Sequence, residues 1–166
     1  MIGGGWILSD PKFLTDRMLG KLTTWLRILG YDVLYVGDLN VEGDEDVYLL
    51  KHHKNRILLT KDRQLHKMCM NENRSSILIK SNDVSKQLLE LKNLINFKPV
   101  MSRCSVCNSL LRKPNKEEIR DFMERENIQE DLAKRYELWY CEKCKKLYWM
   151  GGHWKNMLKF LSKLKS

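Results

Sequence analysis

The first hundred residues alternate between short apolar runs and longer segments in which apolar residues recur every three or four positions. Apolar runs bounded by turn residues predict buried strands, whereas the longer spacing predicts amphipathic helices. The first predicted strand ends at Phe13-Leu14. The other three cover residues 33–36, 56–60 and 77–79. The first predicted helix begins near residue 18 and the second at residues 44–46. The third and fourth cover residues 63–70 and 84–95. This alternation predicts an α/β fold with a parallel sheet flanked by helices on both faces.

The apolar positions of the helices indicate which side of each helix faces the sheet. Residues three and four apart lie on one face of a helix, and Gly30 marks the end of the first one. We expect these side chains to face inward: Met18, Leu19, Leu22, Trp25, Leu26 and Leu29 in the first helix, Val47, Leu50 and Tyr48 in the second, and Leu88, Leu91 and Ile95 in the fourth.

The pattern changes after residues 97–99, which we interpret as a linker. A cysteine knuckle, RCSVCN, is followed by a polar helical insert over about residues 116–134. A second knuckle then lies within an aromatic hairpin, LWYCEKCKKLYWMGGHW. A basic helix closes the chain, with an expected apolar face of Met157, Leu158, Leu161 and Leu164. We therefore predict two units, residues 1–98 and residues 99–166.

Charge is distributed unevenly along the chain. The formal net charge is +9, and the segment from Lys143 to the end contains seven lysines and no acidic residue. A basic tail beside a nearly balanced body indicates a polyanionic partner, with nucleic acid as the first candidate. The alternative is a solvated lysine-rich surface of the kind common in heat-adapted proteins.

Neither a membrane span nor a secretory signal is predicted. The chain contains no apolar run of the roughly 18 residues that a membrane-spanning helix needs. Its first ten residues, MIGGGWILSD, lack a basic region and have too short an apolar patch for a signal peptide. We expect a cytoplasmic protein that does not associate with membranes.

Aspartates stand at the ends of several predicted strands. Asp16 ends the first strand, Asp62 follows the third and Asp83 follows the fourth, while Asp44 opens the helix after the second. The carboxyl ends of parallel strands lie along one edge of a sheet, so we expect these carboxylates to meet there. Clustered carboxylates repel one another unless a cation joins them, and hard oxygen ligands suit Mg²⁺ or Mn²⁺. The alternative is that each aspartate is only a helix cap or turn residue, for which Asp83 is a good candidate.

Basic residues stand beside these aspartates. We expect Arg17, Lys21, Lys61 and Arg63 to hold the phosphates of a bound nucleic acid. With one or two divalent cations at the same edge, this combination is typical of phosphodiester displacement.

Four of the five cysteines form two C-x-x-C pairs, Cys104 with Cys107 and Cys141 with Cys144. Two such pairs predict a four-cysteine zinc site, because each pair can bind a tetrahedral ion from one turn. Four thiolates leave no open position on zinc, so we expect the site to be structural. A disulfide or redox role is the alternative reading. The remaining cysteine, Cys69, is expected to be a small buried or half-buried residue.

Aromatic and basic residues alternate around the second knuckle. The aromatics are Trp139, Tyr140, Tyr148, Trp149 and Trp154, and the candidates for contact with RNA are Lys143, Lys145, Lys146, Trp149, His153 and Lys155. This composition is typical of a surface on which single-stranded bases stack. The alternative is that the aromatics pack this hairpin against the rest of the chain. We expect two of the five aromatics to be exposed.

Four segments together resemble a known family. They are FLTDRMLGKLTTWLRILGYDVLY, DEDVYLLKHHKNRILLTKDRQL, SRCSVCNSLL and YCEKCKKLYWMGGHW, and they span roughly residues 12–157. The chain resembles the RNase domain found at the C-terminus of Mut-seven-like proteins, a branch of the PIN-like nuclease fold with its own zinc ribbon. Residues 1–98 would then be the PIN-like nuclease domain. Residues 99–166 would be the zinc ribbon, with the helical insert and the basic terminal helix.

The resemblance also implies roles for individual acids. Asp16 matches the aspartate of the first strand, Asp62 that of the T-K-D-R turn, and Asp44 the acid that opens the second helix. Asp46 is an alternative at that helix start, and Asp83 lies near a weaker fourth position. The implied activity is metal-dependent RNA cleavage by a site of Asp16, Asp44 and Asp62 that holds Mg²⁺ or Mn²⁺.

Three functional hypotheses follow. The leading one is a metal-dependent ribonuclease whose zinc ribbon and basic tail bind RNA. The second is a non-catalytic module that binds RNA or the ribosome, in which the acids are caps or a degenerate site. The third is the toxin RNase of a toxin–antitoxin pair, a role of many PIN-like proteins, although the attached ribbon argues against it.

Overall fold

The computed structural model describes residues 10–165. Its centre is a sheet of four parallel strands: β1 Phe13–Thr15, β2 Val33–Tyr35, β3 Ile57–Thr60 and β4 Ser76–Leu78. The strand order is β2-β1-β3-β4, so β1 and β3 are central. The predicted parallel α/β sheet is therefore confirmed.

Helices cover both faces of this sheet. They are α1 Gly20–Ile28, α2 Glu45–Lys51, α3 Arg63–Asn71 and α4 Val84–Glu90. Successive strand residues point to opposite faces, so Phe13 packs with α1 and α4 while Leu14 packs with α2 and α3. The four predicted helices are present. However, α4 ends at Glu90 and turns replace its expected last residues up to Ile95.

Most of the expected inward positions are buried or half-buried, but three are exposed. Met18, Val47 and Leu158 are 73%, 41% and 43% exposed. Met18 lies in a 3₁₀ turn before α1, where the phase of the α-helix does not yet apply. Val47 lies in the first turn of α2, next to its cap, and the buried face of that helix is Leu49 and Leu50.

The insert and the hairpin form a small core of their own, and together with the two knuckles we call them the ribbon unit. Strands β5 Trp139–Cys141 and β6 Lys146–Tyr148 pair antiparallel, as the hairpin pattern predicted. The insert forms helices α5 Lys116–Arg125 and α6 Leu132–Arg135. The core is a cluster of buried residues from the insert and the hairpin: Phe122, Leu132, Leu138, Tyr140 and Leu147. The insert therefore packs on the hairpin.

The last helix, α7 Gly152–Lys165, returns to the sheet. Leu161 is buried in the same cluster as α1 and α4, and the ring of Phe160 lies 4.7 Å from that of Trp25. Trp154 and Leu161 are the buried residues of α7, whereas Leu158, between them on the same face, remains exposed. None of the helices within residues 10–165 has the length and apolar character that a membrane crossing requires.

A buried arginine joins the first knuckle to the sheet. Arg27, near the end of α1, is 3% exposed and donates through its guanidinium to the Val33 carbonyl and, at 2.8 Å, to the Val106 carbonyl. Asn108 adds a second link, because its Oδ1 accepts from the Val33 N–H at 3.0 Å and its Nδ2 donates to Asp32. Contacts therefore cross the predicted division at residue 98.

Gly30 shows why the chain needs glycine after α1. Its φ is +90°, and a Cβ at this position would overlap the Cγ2 methyl of Val100, whose N–H donates to the Ile28 carbonyl. We expect Gly30→Ala to lower the free energy of unfolding by about 1–3 kcal/mol in urea denaturation. Gly43→Ala is the control, because Gly43 also has a positive φ but no atom within 4 Å. An equal loss in both variants would show that the contact with Val100 has no cost.

Candidate functional site

The strand order places a potential binding edge between β1 and β3. The order β2-β1-β3-β4 reverses direction at this pair, and open parallel sheets bind ligands at the carboxyl ends of the strands where the order reverses. Asp16 directly follows β1, and Asp62 follows β3 by two residues. We call this edge the acidic rim and define it by Asp16, Asp44, Asp46 and Asp62.

Asp16 is the most buried member of the rim, with 7% of its surface exposed. Its Oδ2 accepts from Thr60 Oγ1 at 2.6 Å and from the Lys61 N–H at 2.8 Å, and its Oδ1 accepts from the Met18 N–H at 3.1 Å. These bonds hold the carboxylate across the ends of β1 and β3. An ionised carboxylate has about four acceptor positions, so one on Oδ1 is left for a cation.

Thr60 connects the two central aspartates. Its hydroxyl donates to Asp16 and accepts from the Asp62 N–H at 3.0 Å, and the residue is fully buried. We did not predict Thr60 as a site residue. The sequence carried a weak signal for it, because a polar residue ends the otherwise apolar strand ILLT.

Asp62 and Asp44 each use one oxygen as a helix cap. Asp62 Oδ1 accepts from the Gln64 and Leu65 N–H groups at the start of α3, and Asp44 Oδ1 accepts from the Val47 N–H at the start of α2. Both residues are exposed. Capping and cation binding are therefore compatible here, since each carboxylate has a second oxygen outside these bonds.

Asp46 is an exposed residue within electrostatic reach of the other rim carboxylates. Partial burial raises the pKa of its carboxyl group, and the negative charges of Asp62, Asp44, Glu45 and Asp16 raise it further. A raised pKa from neighbouring acids means that the cluster repels a further negative charge. A bound cation would relieve that repulsion.

Asp83 has a different environment. It caps α4 by accepting from the Ser85 and Lys86 N–H groups at 3.0 and 3.2 Å, and these bonds with the Ser85 hydroxyl lower the pKa of its carboxyl group. It follows β4, an outer strand of the sheet. It is not among the acids whose charges raise the pKa of Asp46. Asp83 therefore caps α4, as its alternative reading had it, and its membership of the cation site stays a prediction.

The basic residues of the rim differ in their contacts. Arg17 pairs with Glu45 at 2.7 Å. Lys61 donates to the Ser81 carbonyl at 3.0 Å and to the side chain of Asn82. Lys21 and Arg63 are exposed. Arg17, Lys61 and Arg63 are sequence neighbours of Asp16 or Asp62, but Arg17 and Lys61 must exchange their present partners before they can bind a phosphate.

The four knuckle cysteines form a compact group. Their Sγ atoms all lie within 4.8 Å of one another, with Cys104 to Cys144 at 3.8 Å and Cys107 to Cys141 at 3.5 Å. A tetrahedral zinc ion with bonds of about 2.3 Å separates its sulfurs by about 3.8 Å. The donor set and spacing thus fit zinc. All four cysteines are free thiols, so disulfide bonds do not occupy the site.

Both knuckles share a backbone feature that supports this site. The residue after each second cysteine, Asn108 or Lys145, has a positive φ, of 71° and 55°. This turn lets the Lys145 N–H reach the Cys141 carbonyl, and the Asn108 N–H reach the Cys104 carbonyl. The Tyr148 hydroxyl lies 3.0 Å from Cys104 Sγ, where it can donate to a thiolate.

The expectation of two exposed aromatics is wrong. Tyr140 and Trp154 are buried, while Trp139, Tyr148 and Trp149 are half-buried. The reason is packing within the ribbon unit: Trp149 contacts Phe122, for example. The predicted basic partners are on the surface, and the exposed ones are Lys143, Lys145, Lys146, His153 and Lys155.

The rim carboxylates are spaced more widely than the cysteines. Over residues 10–165, the four sulfurs are the set of potential ligands that meets a mutual spacing of 4.8 Å. Mg²⁺ and Mn²⁺ retain several waters and are bound through one or two carboxylates together with substrate phosphates. Oxygen donors such as those of the rim are the type that these cations prefer, whereas the sulfur group suits zinc.

Comparison with known proteins identifies the family. No curated protein and no solved structure matches the chain significantly. The model of the Mut7-C RNAse domain matches residues 11–161, which is nearly the whole chain and includes both the acidic rim and the four cysteines. The chain therefore belongs to the Mut7-C RNAse domain family.

Proposed function

We propose that the protein is a divalent-metal-dependent ribonuclease that hydrolyses RNA phosphodiester bonds at the acidic rim. The observation that supports this proposal most is the convergence of Asp16, Asp46 and Asp62 at the strand-order reversal, in a chain of an RNase family. We propose further that the sheet is PIN-like, that the ribbon holds a structural zinc ion and that RNA is the partner. The basic tail then contributes to RNA binding.

Each rim residue has a distinct role in this proposal. Asp16 would hold the cation from a fixed position, because three hydrogen bonds orient it. Asp46 and the second oxygen of Asp62 would complete the protein's share of the ligands, and Asp44 would orient the start of α2. Lys21 and Arg63 would draw the phosphate chain to the rim by their charge. A divalent cation bound there supplies polarisation of the phosphate and a nucleophile at neutral pH.

The direct test is cleavage of structured and single-stranded RNA with added Mg²⁺, Mn²⁺ or neither. We expect cleavage with added metal and none without it. Zinc content must be measured in parallel, so that loss of the ribbon's metal is not mistaken for loss of the rim's. Binding of RNA without turnover under every metal condition would support a non-catalytic RNA-binding module instead.

Thr60→Val should reduce cleavage by about 10–100-fold, the usual effect of removing a group that orients a metal ligand. Valine keeps the shape of the buried side chain but removes the donor to Asp16 and the acceptor for the Asp62 N–H. Thr60→Ser is the matched control, since it retains the hydroxyl. The measurement is kcat/KM with saturating metal, and equal rates for the two variants would contradict a role for this hydroxyl.

Asp46→Asn should stabilise the metal-free protein and weaken its response to metal. Because the folded-state pKa of this carboxyl is raised, its ionisation disfavours folding, and that cost is fully present above the raised pKa. At neutral pH and without divalent ions, we expect Tm to rise by about 1–3 °C. Mg²⁺ or Mn²⁺ should then raise Tm less in the variant than in the wild type. A variant with the wild-type Tm both without and with the divalent ion would show that Asp46 interacts neither with the rim carboxylates nor with the metal.

A further inference from the structure

A second cleft lies between the ribbon and the first turns of α7. It encloses about 290 Å³, and Ile28 at the end of α1 forms part of its wall. Because α1 starts beside the acidic rim and ends at the opposite edge of the sheet, the two sites are separated by about the length of this helix, roughly 14 Å. Aromatic, apolar and hydroxyl groups make up much of the lining: Met101, Ser105, Tyr148, Trp149, Trp154 and Met157.

The aromatic walls are held in place from behind. The Trp149 ring lies edge-on to Phe122 at 6.3 Å and near Tyr136 at 6.5 Å. Gly151 lies against its indole, because a Cβ there would be 2.8 Å from Nε1. Tyr148 is fixed through its hydroxyl at the Cys104 sulfur. These rings therefore form a preorganised surface.

Three basic residues line the same cleft, and its described lining contains no acid. They are Arg103, Lys146 and His153. Lys146 Nζ lies 5.5 Å from the centre of the Tyr148 ring, so its charge stands beside an aromatic wall. Arg103 donates to the Asn108 carbonyl and is 3.9 Å from Asp32, which fixes its position. Lys146 and His153 are exposed. The cleft thus combines ring surfaces with positive charge.

We propose that this cleft holds a single unpaired nucleotide of the RNA, with the base on the aromatic walls and the phosphate beside Lys146 and His153. Base stacking on aromatic side chains and phosphate contact with cations are the two recognised parts of single-strand binding. A cleft of this volume suits one nucleotide and excludes a base-paired helix. The inference rests on the proposed function in one respect, namely that RNA is the substrate. The cleft would be an anchor, meaning a second RNA-binding site remote from the rim. RNA would then be cut at a fixed distance from the nucleotide bound in the cleft.

The test compares three probes on the whole 166-residue chain with zinc bound, by calorimetry and without other added divalent metal: adenosine monophosphate, ribose 5-phosphate and inorganic phosphate. We expect adenosine monophosphate to bind at least about tenfold more tightly than ribose 5-phosphate, because only the former can stack. Lys146→Gln and His153→Gln should each weaken that binding by about threefold or more. Lys54→Gln is the charge-matched control, since this exposed lysine lies in the turn before β3, outside the cleft.

The results decide the two proposals separately. Equal binding of the three probes, no binding of adenosine monophosphate at millimolar concentration, or equal effects of all three glutamine variants would overturn the nucleotide cleft. Absence of metal-dependent cleavage in the assay at the rim would overturn the ribonuclease and leave the binding result standing. Preference for adenosine monophosphate with loss only in the two cleft variants would establish the anchor.

Discussion

Asp16→Asn is expected to lower metal-dependent RNA cleavage by at least about a hundredfold while the protein stays folded. Loss of a residue that hydrogen-bonds to a metal ligand already lowers metal affinity or activity by about 10–100-fold. Asp16 is proposed as a direct ligand, so its loss should have a larger effect. Asparagine has nearly the same shape and can still accept from Thr60 and Lys61 through its one oxygen. It removes the negative charge and presents an amide donor toward the Met18 N–H. The measurement is kcat/KM across a Mn²⁺ titration.

The control for this experiment is an acid of equal charge away from the rim. Glu72→Gln serves, because Glu72 is exposed at the end of α3. RNA binding by the Asp16 variant should match that of the wild type when measured without added divalent metal. Undiminished cleavage by Asp16→Asn, with normal thermal melting, would remove the rim from the mechanism and favour a binding module.

Loss of the ribbon's metal is expected to have the largest effect on stability. We predict one zinc ion per chain by elemental analysis, and its removal or Cys144→Ser should lower Tm by roughly 10 °C or more. The physical reason is that the ribbon's own core is small, with five buried residues, so four metal–sulfur bonds that join the two knuckles would add a large share of its stability. Zinc content and calorimetric melting measured on the same sample check this prediction.

Cys69→Ala is the matched cysteine control. Cys69 is buried between α3 and the sheet, outside the cluster of four sulfurs. Its substitution leaves a small void and should change Tm without changing the zinc content. Zinc retained by Cys144→Ser, or unaltered melting after complete zinc loss, would contradict a structural metal site.

Much of the sheet was predictable because its signals are local. Apolar runs bounded by turn residues predicted all four strands to within about two residues, and alternation with helices predicted that they run parallel. The edge that gathers Asp16 and Asp62 followed from topology alone. In contrast, the faces of short helices were predicted less well, as Met18 and Val47 show, because one turn of helix contains too few positions to fix a phase.

Contacts between distant segments could not be predicted from the pattern. Thr60 joins Asp16 to Asp62 through a hydroxyl whose direction depends on the pairing of β1 with β3. Arg27 is a charged residue in an apolar helix, and the docked knuckle supplies two of its carbonyl partners, Ser105 and Val106. The aromatics of the ribbon alternate with lysines, yet their burial depends on the helical insert that packs against them. In each case the deciding neighbour is remote in sequence.

The link between Asn108 and Val33 has a consequence for aggregation. Strand β2 is at one end of the sheet order, and an end strand with unpaired N–H groups is a template for pairing with another chain. The side chain of Asn108 occupies the Val33 N–H, and the first knuckle holds Asn108 in place. If the knuckle holds zinc as proposed, we expect release of the metal to loosen Asn108 and expose the Val33 N–H to edge-to-edge association.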